Sequence, residues 1–266
     1  LIAGTRLGTT SADPKRIETI INNLKGNPQG AALLLGNIID RQVATDKNRL
    51  TVLKDTAALF KPIRNQTLAL LLDTNLRDNR WKKRVGKSEE GLPIPPGTYL
   101  SQELKRLPLI SNRSTVGLSI KSPTSERSTL YSIGVLDHLG HRGSTAKATA
   151  GLRSVYKTLP TKPGILVGGH MPLSGETTTY DRLNPETRWP HFIAPGWLAS
   201  TASWGSKANE TPGGPGGLGI ILMPDRYLSI PTNSLEETRY LYRALMISEG
   251  IQALGISEKA LTQKSP

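Results

Sequence analysis

At 266 residues the chain is long enough to bury a sizeable core in one large domain. Few aromatics beside plentiful Leu, Ile, Gly and Thr fit an α/β globule rather than a disordered chain, and the absence of cysteine excludes disulfides, thiolate metal sites and cysteine nucleophiles. The net charge of +13 attracts nucleic acid, anionic membranes or acidic protein partners, unless it is only a solvated basic surface.

In chain order, the apolar start Leu1–Gly4 reads as a short strand. Asp13-Pro14 reads as N-cap and first residue of a helix, with Ile17, Ile20, Ile21 and Leu24 at helical spacing and Gly26 as the stop. Residues 31–35 (AALLL) form the next strand. Asp46 is placed to cap a helix carrying Leu50, Leu53, Ala57 and Phe60 on one face, ended by Pro62. Residues 67–72 form another strand, followed by a basic, Pro-containing insertion at 77–97. Its densest part is Arg77, Arg80, Lys82, Lys83, Arg84 and Lys87 around Trp81; the indole either stacks on a base or anchors the loop.

Shorter β-like pieces follow at 107–112 and 114–120, then a strong strand at 129–136. Ser144 opens a helix to about Thr158, and 164–169 is a buried strand. FIAPGWLAS and GGLGIILM read as late strands around a Gly/Pro stretch at 205–217. Ser234 and Glu237 form a capping box before a last amphipathic helix, within a helical extension at 234–266. No run approaches the roughly 18 apolar residues of a membrane span, and no secretory signal stands out. The expectation is a single domain over 1–266, soluble, intracellular or within a particle.

Alternation of strands and helices predicts an α/β sheet covered by helices, the late strands adding a second sheet. Sites in such folds lie beyond the carboxyl ends of strands. There the sequence places Thr5-Arg6, Asn37 with Asp40, Asp73 to Asp78, Asp137-His138, and His170. The Gly-rich run 213–219 lacks the lysine and helix of a phosphate loop, and no serine sits in a nucleophile elbow.

Those loops, in that order, resemble the calcineurin-like metallophosphoesterase family over roughly residues 1–230. IAGTRLGTTSAD resembles that family's first block, with Gly4 at the aspartate position and Arg6 at the histidine position. Gly36-Asn37-Ile38-Ile39-Asp40-Arg41 resembles the second, with Asn37 replacing the bridging aspartate. Asp73-Thr74-Asn75-Leu76-Arg77 resembles the third: Asn75 is kept, Leu76 replaces the histidine that assists the leaving group, and Arg77 replaces the acid. GVLDHLGH keeps His138, and Gly169-His170-Met171-Pro172 keeps His170 with Pro172 at the last histidine.

The resemblance implies a four-layer αββα arrangement, a β-sandwich of two mixed sheets flanked by helices. It also implies a vestigial metal site at Gly4, Asn37, Asn75, His138, His170 and Pro172, with Arg6 and Leu76 as vestigial catalytic positions. A metal pair needs a bridging carboxylate and enough anionic or imidazole ligands; here the bridge is an amide and two arginines stand nearby. The expectation is therefore no cofactor and no catalytic residue. Asp40 and Arg41 are expected to pin their loop. Arg6 and Arg77 either bind an anion or pair with Asp40, Asp73 or Asp78. The expected function is that of a pseudoenzyme serving a larger assembly, its partners other protein subunits or nucleic acid. The alternative is an active metal-dependent phosphoesterase with Mn, Zn or Fe at a residual centre, including a lone zinc on His138, His170 and His191.

Overall fold

The computed structural model describes residues 1–9, 12–36, 38–40, 43, 48–72, 95–122, 126–137, 145–168, 174–178, 190–195, 198, 219–224, 229–232 and 235–253. They form a mixed α/β structure in which an apolar cluster lies between two sheets and helices pack on the other faces.

The first sheet is parallel throughout its described strands, β1 (Ala32–Leu34), β2 (Thr67–Leu71) and β3 (Leu109–Ile110), in the order β1-β2-β3. The chain start runs parallel beside β1, with bridges Ile2–Leu34 and Leu7–Ile39. Successive side chains of a strand face opposite ways, and the apolar residues divide accordingly. Ala3, Leu33, Leu35, Ala69 and Leu71 join the cluster shared with the second sheet. Ile2, Leu34 and Leu70 join the helices. Because both faces are buried, the strands read as continuous apolar runs without polar alternation.

Three helices supply that outer cover. Helix α1 (Pro14–Lys25) starts where the Asp13 side chain accepts from the Arg16 N–H at 3.1 Å, with Pro14 preset for the first turn. It buries Ile17, Ile20 and Ile21 and ends at Gly26, whose N–H returns to Asn22 O. Helix α2 (Arg49–Phe60) buries Leu53, Ala57 and Phe60 and tightens into a 3-10 turn at Lys61–Ile63, as Pro62 requires. Its N-cap is Asn48, which makes no side-chain capping bond; Asp46 lies outside the described residues.

Helix α3 spans Pro96–Glu103. It begins inside the span read as a basic insertion, with Pro96 in its first turn and Leu100 and Ser101 buried. A Pro-Pro pair reads locally as loop, yet a proline at the first helical position is favourable.

The second sheet has the order β4-β5-β6-β8-β7: β4 (Ser114–Lys121), β5 (Ser128–Leu136), β6 (Ile165–Gly168), β7 (Ser174–Thr178) and β8 (His191–Pro195). It is mixed, with β5, β6 and β8 parallel and the two outer strands antiparallel. Ile133, Val135, Ile165, Val167 and Ile193 face the first sheet. Leu136, Leu166 and Phe192 face Leu152 of helix α4 (Thr145–Thr158). The Tyr156 ring meets Phe192 edge-on at 5.3 Å, and Lys162 Nζ donates to the carbonyls of Tyr156, Lys157 and Leu159 around the helix's C-terminal end.

A hairpin, β9 (Gly219–Leu222) and β10 (Ser229–Thr232), is tied to β5. The fully buried Tyr131 hydroxyl donates to Met223 O at 2.7 Å and accepts from Met223 N–H at 3.0 Å, so neither end of its polarity is left unsatisfied. Helix α5 (Leu235–Ala253) contacts the hairpin and reaches α1 through Arg239 Nη1, which donates to Asn23 Oδ1 at 2.9 Å. Strands β7 and β10 are short and rich in Ser and Thr, with no apolar run to mark them in the sequence.

Only a three-residue connection separates β3 from β4, and β4 starts opposite the end of β5 (Ser114 pairs with Val135). Asn112 Oδ1 accepts from the Asp137 N–H at 2.9 Å, clamping the exit of β3 to the exit of β5. The parallel strands of both sheets therefore discharge at the same end of the molecule.

Replacing Leu33, 3% exposed between the sheets, by Ala should lower stability by about 2–5 kcal/mol. Replacing Leu130, 63% exposed on β5, should change it by about 0.5 kcal/mol or less. Urea unfolding midpoints of the two variants measure the contrast.

Candidate functional site

Two loops meet at that end. Gly4 has φ of +60°, open to glycine without steric cost, and its N–H donates to Gly36 O at 3.0 Å. The Thr5 hydroxyl, fully buried, donates to Ile38 O at 2.6 Å. Leu7 N–H donates to Ile38 O at 2.9 Å, and Asp40 N–H to Leu7 O at 3.3 Å. Gly8 closes the first loop at φ +88°; a Cβ there would collide with Val43 and stand 2.8 Å from Val52 Cγ1. Backbone thus zips residues 4–7 to 36–40 without using a catalytic side chain.

Arg6 lies at the centre, with φ of +46°. A non-glycine residue in this region stores strain on the order of 1–3 kcal/mol and persists where its surroundings over-determine it. What holds it is Asp40: Arg6 Nε donates to Asp40 Oδ2 at 2.7 Å and Nη2 lies 2.6 Å from the same oxygen. The two side chains are 14% and 8% exposed. At that burial desolvation offsets much of the attraction, but a lone survivor would keep its full desolvation cost. The pair therefore fixes loop geometry more than it adds net stability.

Of the residues singled out from the sequence, the structure brings together Gly4, Arg6 and Asp40. Asn37, Arg41, Asn75, Leu76, Arg77, His138, His170 and Pro172 lie outside the described residues, as does the cluster around Trp81. The strands leading to them are described. Leu34 is in register with Leu70, and Leu136 with Gly168; the chain therefore leaves neighbouring strands side by side on its way to Asn37 and Asn75, and to His138 and His170. His191 is different. It pairs with Ile165 at the opposite, amino end of β6. The four residues of β6, at about 3.3 Å each, separate it from the end where β6 leads toward His170.

Asn112 and Gln66 carry no motif in the sequence, yet both tie the fold together. Asn112 joins the exits of the two sheets. Gln66 Nε2 lies 2.9, 2.7 and 3.0 Å from the carbonyls of Leu24, Asn27 and Gly30, tying the turn before β1 to the turn before β2. Polar residues in turns were the only signal, and it named no partner.

Gly4 offers no ligating side chain, Thr5 is committed to a carbonyl, and Asp40 faces a guanidinium. Among the described residues of these two loops, the Arg6–Asp40 pair is a largely buried electrostatic tie. Among known proteins, no family model matches the chain and no curated protein matches it significantly.

Asp40→Ala should cost about 3–5 kcal/mol, because it strands a largely buried guanidinium. The double variant Arg6→Ala/Asp40→Ala should lose less than the two single losses added together. Urea denaturation of all four proteins yields the coupling energy; a value near zero would mean the pair does not form.

Proposed function

We propose that this chain is a metallophosphoesterase-like scaffold without paired-metal chemistry, acting as a structural or binding component of a larger assembly. Support for the scaffold comes from the layering: helices, a parallel sheet, a mixed sheet and a further helix, with the sheets sharing one apolar cluster. Further support comes from the common exit of the parallel strands, since every block of the resemblance follows one of those exits.

The observation that carries the functional reading is the Arg6–Asp40 ion pair. In the family's arrangement the first block supplies metal ligands. Here that block supplies Gly4, which has no donor, and a cation already neutralised by Asp40. A dinuclear centre stabilises charge on both attacking and leaving oxygens and needs a bridging anion to hold its ions together. The residues do not fit one: a guanidinium repels a divalent ion, and Asn37 is an amide where the bridge belongs. With Leu76 at the position of the histidine that assists the leaving group, that side chain donates no proton there. What remains useful is the shape, a rigid two-sheet body with a basic surface suited to acidic subunits or nucleic acid.

Metal analysis of the purified protein should find less than one tightly held transition metal per chain, and a generic phosphodiester should not turn over in added Mn²⁺. Two bound metals per chain, with turnover abolished in His170→Ala, would replace this reading with that of an active phosphoesterase.

A further inference from the structure

The opposite end of the molecule carries its own chemistry. Three helix-to-strand connections enter the parallel sheet there: after α1, after α2, and after α3. Gln66 ties the first to the second through the three carbonyls above, and Ala32 N–H donates to Gln66 O at 2.8 Å. Lys105 Nζ donates to Asn65 Oδ1 at 3.0 Å, tying the second to the third. The third turn is closed by Ser101, whose hydroxyl donates to Leu107 O at 2.7 Å and whose carbonyl accepts from Leu107 N–H at 3.1 Å. Within it Lys105 and Arg106 are both left-handed, at φ 61° and 57°, and both exposed. The turns therefore form one fixed platform.

Its charge is one-sided. Lys25, Lys54, Lys61, Arg64, Lys105 and Arg106 belong to it, against Asp55 and Glu103, and no ion pair joins these groups among the described residues. Two adjoining depressions lie along α2 and its 3-10 extension, beside the second turn. One, of about 270 Å³, is lined by Lys54, Lys61, Tyr99 and Glu103. The other, of about 350 Å³, is lined by Lys61, Pro62, Arg64 and Asn65. Lys61 and Ala58 are common to both. Tyr99 packs on the helical core, so its ring is not a free stacking platform.

We propose that this platform docks the phosphodiester backbone of a nucleic acid. The depressions are open, and their charged lining is Lys54, Lys61 and Arg64 against the single carboxylate of Glu103, with Lys105 and Arg106 on the next turn, which suits a row of phosphates and not the reading of bases. An acidic protein would want an apolar centre within the charged rim. Of the exposed large apolar side chains among the described residues (Leu109, Leu130, Tyr240, Met246 and Ile247), only Leu109 belongs to the first sheet. The platform lies away from the Arg6–Asp40 tie, so its role is independent of whether that end turns over a substrate.

Fluorescence anisotropy with a short random-sequence DNA duplex, and in a second arm a single-stranded RNA, tests the proposal across a salt series. Binding to either should weaken steeply with salt, and the tighter arm identifies the source of the backbone. The triple variant Lys61→Ala/Arg64→Ala/Arg106→Ala, its fold checked by circular dichroism, should bind roughly tenfold or more weakly. Its log–log salt slope on duplex DNA should fall by about 2.7, since each phosphate contact contributes about 0.9. The control Lys15→Ala/Arg16→Ala/Arg113→Ala removes the same charge at the other end and should bind nearly as the parent does. Equal losses in both triple variants, salt-independent binding, or binding of a polyglutamate peptide but of neither nucleic acid would each overturn the proposal.

Discussion

Leu33 and Leu34 are neighbours in one strand and belong to different cores. That division, repeated at Leu70 and Leu71 and again at Leu166 and Val167, is the constraint on which the other layers depend. A sheet buried on both faces has no solvent side, so each layer must be covered by the next. Burial at about 25 cal/mol per Å² of apolar surface supplies the drive, and the strand period of two supplies the geometry. A slip of one residue in β1 would send Leu33 to the helices and Leu34 to the second sheet. Side chains of different size and shape meet on the two sides, and this holds the register.

Once the layers are set, polarity sorts to the two ends of the parallel strands. At the carboxyl end, Arg6 and Asp40 are largely withdrawn from water and neutralise each other. At the amino end, exposed cations stand on turns that amide side chains hold together. The contrast is one of dielectric. A charge removed from water needs a partner at hydrogen-bonding distance, whereas a charge on an open turn is stabilised by solvent and stays available to a polyanion.

Helix α1 was legible because its signals are local: an Asp-Pro start, four apolar residues at helical spacing and a Gly stop all agree. Strands β1, β2, β5 and β6 were legible as apolar runs. Helix α3 was not, because Pro95-Pro96 carries the local signature of a loop and the helix is held by the burial of Leu100. Strands β7 and β10 were hidden because their composition is polar and their pairing partners are what make them strands.

The amino-acid order by itself determined the alternation of strands and helices, the apolar content of each and the absence of any thiol chemistry, since propensity, periodicity and composition act within a few residues. Tertiary structure alone decided which charges meet. Arg6 and Asp40 are 34 residues apart, Asn112 and Asp137 are 25 apart, and Lys105 and Asn65 are 40 apart. Each of these polar contacts depends on where packed apolar layers bring the chain back, and no local pattern encodes that return.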